Sequence, residues 1–315
     1  MTVLLAGATG TIGQAVARAL VARGHRVLCP VRSGRALSLP GVTALSCTIG
    51  EPGALARALK GEQVDAVISC MASRSGVPAD AWAVDHDAQV VLLEAAQAAG
   101  AEKFVLLSAI CVQKPTLAFQ QAKLAFEERL RHSGLTWSIV RPTAFFKSLS
   151  GQVARVQAGK AFLLFGDGTQ TACKPISDAD LATYLVDCLD MPTRQNRILP
   201  IGGPGPAITP REQGEWLFNK LGQEPKFKRV PLALMDVIAG TLGTLGRVSP
   251  GLAQKAELAR IGRYYASESM LVWDPAAGRY DAEATPEFGS HTLWDHYAAM
   301  LRGETQVDLG EHAVF

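Results

Sequence analysis

"MTVLLAGATGTIG" (residues 1–13) sets an apolar run, Val3 to Ala6, directly against glycines at 7, 10 and 13. The run has the length of a strand, well short of a helix. The next stretch, "TIGQAVARALVARG" (11–24), has apolar residues at helical spacing and ends on a glycine. A strand that turns through glycines into a helix opens a βαβ unit.

The pattern then repeats. "RVLCPVR" (26–32), "VTALSC" (42–47), "VDAVISC" (64–70), "KFVLLSA" (103–109) and "TWSIVRP" (136–142) are strand candidates, separated by helical segments such as "DAQVVLLEAAQAAG" (87–100). Near-continuous apolar strands alternating with helices predict a parallel sheet covered on both faces, an α/β doubly wound domain of the Rossmann type. After Pro142 the rhythm breaks. "AFFKSLSGQVARVQAGK" (144–160) predicts a helix, "AFLLFGDG" (161–168) a strand and turn, "DADLATYLVDCLD" (178–190) a helix, and from Gly202 onward a mostly helical stretch. The expected division is 1–145 with 171–203 as the nucleotide-binding domain, and 146–170 with 204–315 as a smaller substrate lobe.

Composition excludes several classes. The chain has 315 residues, 48% apolar and 19% charged, with net charge +2. That balance gives no basic stripe for nucleic acid. The six cysteines are scattered without a C-x-x-C pair, which reads as free thiols in a reducing compartment. "MTVLLAGATG" has no basic n-region and no cleavage site, so a cytoplasmic protein of bacterial type without signal or transit peptide is expected. "VPLALMDVIAGTLGTLG" (230–246) is the most apolar stretch; Asp236 and three glycines interrupt it, which reads as a buried helix, and a peripheral membrane contact stays open. His291 and His296 are five apart and do not share a helix face, so no metal site is expected.

The glycine loop predicts a dinucleotide site. Gly7 permits the tight turn, Gly10 lets a pyrophosphate approach the backbone, and Gly13 allows close helix–strand packing. Thr9, Thr11 and Ile12 lie between them at the N-terminus of the first helix. The second strand ends on Arg32, Ser33 and Arg35 without a carboxylate, which favours the 2′-phosphate of NADPH over the bare ribose of NAD. "SCMASRSG" (69–76) follows the fourth strand. Cys70, Ala72 and Ser73 could pass beneath the ribose and pyrophosphate, or the turn could simply cap the next helix. Pro142 closes the sixth strand beside the same site.

"FQQAKLAFEERL" (119–130) resembles the Tyr-x-x-x-Lys pattern of short-chain dehydrogenases with phenylalanine at the tyrosine position. Lys123 remains, and so does Ser108 at the end of the fifth strand. Carbonyl reduction needs an acid for the developing oxyanion, and Phe119 has no proton to give. Hydride addition to a carbon–carbon double bond conjugated to a large π system needs none there, and Phe119 then serves as a flat apolar wall. Phe145, Phe146 and Lys147 in "RPTAFFKSL" (141–149) are candidate substrate contacts.

Several further stretches are distinctive: "FVLLSAICVQKP", "RPTAFFKSLSGQV", "LFGDG", "CKPISDADLA" and "RIGRYYASESMLVWDP". With them the chain resembles the divinyl chlorophyllide 8-vinyl reductases from the first strand to about residue 302. The resemblance implies NADPH-dependent reduction of the C8 vinyl group of a divinyl chlorophyllide or protochlorophyllide to ethyl, with the Phe-x-x-x-Lys form expected. On that reading Lys123 positions the nicotinamide ribose and Lys174 pairs with the substrate propionate or assists protonation. The alternatives are a reductase of a smaller conjugated substrate, as in isoflavone reductases, or a non-catalytic NADPH-sensing regulator. The third strand ends "CTIGEPG", without the aspartate that many dinucleotide folds place against adenine.

Overall fold

The computed structural model describes residues 1–305 apart from 33–36, 38, 76 and 246–248. Its strands are β1 (Thr2–Ala6), β2 (Arg26–Val31), β3 (Val42–Ser46), β4 (Ala66–Ser69), β5 (Lys103–Leu107), β6 (Thr136–Pro142), β7 (Phe162–Phe165), β8 (Arg197–Ile201), β9 (Phe227–Val230), β10 (Val272–Asp274) and β11 (Arg279–Asp281). The helices are α1 (Thr11–Ala22), α2 (Ala54–Ala58), α3 (Pro78–Ala81), α4 (Ala88–Ala98), α5 (Ala118–Arg131), α6 (Phe146–Leu149), α7 (Val153–Gln157), α8 (Asp178–Asp187), α9 (Pro210–Lys220), α10 (Leu232–Leu245), α11 (Pro250–Tyr265) and α12 (Leu293–Leu301). The chain forms two compact units, Met1–Pro142 with Asp178–Leu199, and Thr143–Ser177 with Pro200 onward.

The first unit is built on a seven-stranded sheet of order β3-β2-β1-β4-β5-β6-β8. All six strands expected from the apolar runs are present and pair in parallel, with Val3 opposite both Val27 and Ala66, and Lys103 opposite both Ala66 and Thr136. The seventh strand, "RILPI", has no counterpart in the sequence reading because it is short and half exposed at the sheet edge. β1 is buried on both faces because helices cover both, which is why its run is apolar throughout. The strand order reverses between β1 and β4, and ligands of such sheets bind in the crevice at that switch point. Leu4, Leu28, Val67, Leu92, Phe104, Phe126 and Ile139 form the core beneath, with the Phe104 and Phe126 rings 5.8 Å apart.

The second unit holds the parallel pair β7–β9, the hairpin β10–β11 and helices α6, α7 and α9–α12. Its core gathers Phe146, Val153, Leu164, Leu217, Phe218 and Tyr297. Thr209 and Thr292 cap α9 and α12, each in a reciprocal box with the acid three residues on, Glu212 and Asp295.

Two expectations are corrected here. The helix predicted over 144–160 is broken into α6, a 3₁₀ turn at Ser150–Gln152 and α7. Ser150 Oγ donates back to the Phe146 carbonyl at 2.7 Å, and the Gln152 side-chain amide pairs with the Leu163 backbone at 2.9 and 2.6 Å. These polar side chains give the backbone partners outside a continuous helix, and Gly151 weakens it further. The apolar helix α10, expected to be buried, is largely exposed. Met235 is covered, whereas Leu234 is 48% and Val237 63% exposed. α10 packs against α11, and of its described residues Ala233, Leu234, Asp236, Val237, Gly240 and Thr241 stay in solvent.

Candidate active site

The glycine loop separates into two structural duties and one vacant approach. Gly7 has φ +82°, and a methyl group there would lie 2.6 Å from the Cys70 carbonyl. A methyl at Gly13 would lie 2.1 Å from the Gly7 carbonyl oxygen. Both glycines are therefore required by the chain's own packing. Gly10 is different: its backbone is extended at φ −84°, ψ 166°, and a methyl would meet nothing closer than 3.5 Å. Nothing in the chain needs a glycine there. α1 starts at this point with no side-chain cap and no acidic residue in its first turn, and Gly10 and Thr11 are exposed. Uncapped helix amides with a positive dipole end suit a dinucleotide pyrophosphate, so the residues present fit such a group.

Arg32 stands exposed just past β2. Ser33 and Arg35 lie outside the described residues. Asp80 lies near enough to Arg32 to feel its charge. Burial works against ionisation of Asp80, yet the Ser75 hydroxyl at 2.7 Å, the Ser75 and Arg74 amides and the Arg32 charge together hold its carboxyl below the usual range. Cys70 meets the Gly7 turn through its backbone, and burial pushes its thiol up to about 12, so it carries no thiolate chemistry. Ala72 is exposed in the same turn and Pro142 is buried at the end of β6.

Helix α5 carries two of the expected site residues, Phe119 and Lys123. Phe119, Lys123 and Glu127 recur at intervals of four, which stacks them along one helix face. Phe119 is half-buried one turn before Lys123. The Lys123 ammonium donates to Asp85 Oδ1 at 2.9 Å, with side-chain exposures of 11% and 0%. Ser73 anchors the same carboxylate, its hydroxyl donating to Oδ2 at 2.6 Å and its amide to Oδ1 at 3.3 Å. Asp85 sits in a π-helical turn, Trp82–Asp87, immediately before α4. Such a turn widens the helix by one residue and re-aims side chains, here turning a carboxylate inward. One turn along α5, Glu127 accepts from Ser108 Oγ at 2.5 Å and from both Arg141 Nε, at 3.1 Å, and Arg141 Nη2.

This geometry refines the expectations for Lys123 and Ser108. A lysine has three donor positions, and the Asp85 bond occupies one of them, leaving two to meet ribose hydroxyls. The Ser108 proton is committed to Glu127, so Ser108 offers a ligand an acceptor and no acid. Asp85, Glu127 and Arg141 were missed in the sequence. Glu127 had a readable signal, its i+4 spacing from Lys123; Asp85 and Arg141 had none, because their partners are distant in the chain.

In the second unit the expected substrate contacts divide. Phe145 is half-buried and its backbone bridges to Ile176. Lys147 is half-exposed on α6. Phe146 is a correction: it is 5% exposed within the core, its ring 5.2 Å from that of His296, because the short α6 points it inward. Lys174 is placed in a polar network of its own. It is buried and held by Glu287 at 2.5 Å and the Thr285 carbonyl at 3.3 Å, while its own carbonyl accepts from Thr143 Oγ1. A cation so paired ties two loops together, and two of its three donor positions are taken. Tyr264 is buried and Tyr265 exposed, their rings 5.7 Å apart edge to face. Among the described residues, no group of three or more His, Cys, Asp or Glu side chains is placed to hold a metal ion.

Comparison with known proteins agrees with this architecture. Residues 7–192 match the NAD(P)H-binding family model. The divinyl chlorophyllide a 8-vinyl-reductase of Zea mays is 47% identical over 100% of this chain and 83% of its own length. The Arabidopsis thaliana protein of the same name is 45% identical over 99% and 79%. Among solved structures, the NADPH complex of leucoanthocyanidin reductase from Vitis vinifera superposes with a TM-score of 0.68 at 18% identity, covering 96% of this chain and 100% of that one, which shows a shared fold. With the whole chain aligned at such identity, this protein belongs to the divinyl chlorophyllide a 8-vinyl-reductase family of NAD(P)H-binding proteins.

Proposed function

We propose that this protein reduces the 8-vinyl group of a divinyl chlorophyllide or protochlorophyllide to ethyl, with NADPH as the hydride source. The observation that carries the reading is the α5 stripe: a phenyl ring where carbonyl reductases keep their acid, one turn from a lysine held by a buried carboxylate. Family membership over the whole chain names the substrate class.

A reduced nicotinamide supplies the hydride when bound. The uncapped N-terminus of α1 and Gly10 hold the pyrophosphate, and Arg32 pairs with the 2′-phosphate through charge-assisted hydrogen bonds. Lys123, kept in place by Asp85 and Ser73, would hold the nicotinamide ribose of the cofactor. Phe119 offers an apolar surface to the macrocycle. Negative charge arising at the vinyl carbon spreads into the pigment's π system, so no oxyanion donor is required. Glu127 and Arg141 lock Ser108 at the end of β5, so that its proton is directed at Glu127 and is not offered to a ligand. The final proton goes to carbon from water. The first unit thus takes the dinucleotide.

The test is incubation with NADPH and divinyl chlorophyllide, with absorbance followed at the Soret band. A blue shift with NADPH consumed in equal amount is expected, and deuteride from labelled NADPH should appear in the ethyl arm. Cofactor binding without a shift would overturn the assignment in favour of a sensor; consumption only with another acceptor would favour a smaller substrate. Arg32→Gln should weaken NADPH binding about tenfold and leave NADH binding unchanged, the loss expected for a charge-assisted phosphate contact.

A further inference from the structure

The hairpin of α10 and α11 has a face that the reduction chemistry does not use. α10 is 14 residues long with one acidic residue and no basic one. Leu232, Met235 and Leu242 fall at helical spacing on the better covered side, whereas Ala233, Leu234, Val237, Gly240 and Thr241 line the exposed side. A row with Leu234 and Val237 about half or more exposed is a contiguous apolar strip in water, which soluble surfaces rarely keep without an occupant.

The charges around the strip identify the occupant. Residues 226–265 contain seven Lys or Arg and two acids, a surplus of five in a chain whose net charge is +2. Both acids are already paired: Asp236 with Arg263 at 2.8 Å, and the buried Glu257 with Arg260 at 2.8 Å. Lys226, Lys228 and Arg229, on and beside β9, and Lys255 on α11 stand exposed with no carboxylate partner among the described residues. Lys255 lies on the helix packed against α10, and Lys226, Lys228 and Arg229 lie on and beside the strand that leads into it, so the countercharge of these cations must come from outside. Lysine is depleted in protein–protein interfaces, where aromatic side chains and arginine dominate. An apolar helix edge beside exposed lysines is instead the pattern of helices that lie in a lipid headgroup layer. At about 1.5 Å per residue α10 is roughly 21 Å long, short of the apolar core of a bilayer. Among the described residues no helix is long and apolar enough to cross a membrane.

We infer that the α10–α11 hairpin docks the protein on an anionic lipid surface, with Leu234 and Val237 entering the headgroup layer and Lys226, Lys228, Arg229 and Lys255 meeting lipid phosphates. The docking is independent of the pigment reading and is tested without pigment. The full-length protein is floated with phosphatidylcholine vesicles and with vesicles of equimolar phosphatidylcholine and phosphatidylglycerol. Flotation with the anionic vesicles alone, falling as salt is raised, is expected. Leu234→Asp with Val237→Asp should lower the bound fraction on the order of tenfold by losing buried apolar area. Lys226→Glu with Lys228→Glu and Arg229→Glu should lower it comparably and abolish the salt dependence. NADPH binding and circular dichroism check that each variant is folded, and Val237→Ser gives a milder version. Absence of flotation by the parent protein, or flotation unchanged in both folded variants, overturns the inference. So does a parent dimer that binds no vesicles and that Leu234→Asp with Val237→Asp converts to monomer, since the strip would then be covered by a second copy. Failure of pigment turnover with vesicle binding intact would overturn the reductase reading and leave this one standing.

Discussion

α5 and α10 are both 14 residues long and invert the usual division between inside and outside in opposite ways. α5 carries Lys123, Glu127 and Gln120 and buries all three. α10 is nearly free of charge and leaves Leu234 and Val237 in water. Buried charge is tolerated in α5 because each group has an opposite partner: Asp85 for Lys123, Arg141 for Glu127. Exposed hydrocarbon in α10 has no partner within the described residues. Departures from the inside-out rule mark places where a protein is organised around something besides its own core. In α5 that is the fixed position of Lys123, and in α10 it is the proposed lipid surface.

The comparison is broken most severely by Lys123→Met. It leaves Asp85 charged and buried without a cation, so unfolding in denaturant should show a loss of about 3–5 kcal/mol. Turnover should fall about a hundredfold or more as the ribose loses its anchor. Adding Asp85→Asn should restore most of the stability and none of the turnover. A double variant as unstable as the single one would mean that the pair does not organise this face. Phe126→Ala, in the apolar row of the same helix, should cost a similar ~3–5 kcal/mol by leaving a cavity, with NADPH affinity unchanged in the folded fraction.

His296 tests the middle case, a half-buried titratable group with no ion pair recorded among the described residues. It lies against Phe146 and within 3.0 Å of Ser150 Oγ, and burial lowers its pKa from 6.5. Its contribution to stability is present above the unfolded value near 6.5 and lost as pH falls toward the lower folded value. Denaturation midpoints should therefore fall as pH drops below about 7, and His296→Gln should flatten that part of the curve. Phe119→Tyr should have a small effect, turnover within about twofold, because the reaction forms no oxyanion for a phenol to serve. Smallest of all, Val237→Ser should change stability by less than about 0.5 kcal/mol, since the side chain is already in solvent. A large loss there would place α10 in a packed core and remove the contrast.

The strands of the sheet were legible because they are covered on both faces, so their apolar runs are nearly continuous. The glycine loop was equally legible, since Gly7 and Gly13 have no sterically acceptable substitute. Period, run length and glycine position are local properties, set by backbone sterics and by the water each residue must leave. What local pattern could not supply was the pairing of charges far apart in the chain. Asp85 meets Lys123 across 38 residues, Arg141 meets Glu127 across 14, and Glu287 meets Lys174 across 113. Nor could it say whether a helix apolar on every side would be covered, because that depends on how many neighbours packing brings to it. A carboxylate and an ammonium leave water only when the fold delivers them to each other. The anchored lysine, the locked serine and the bare face of α10 are therefore consequences of the assembled structure, laid over a sheet and a glycine turn already written in the order of the residues.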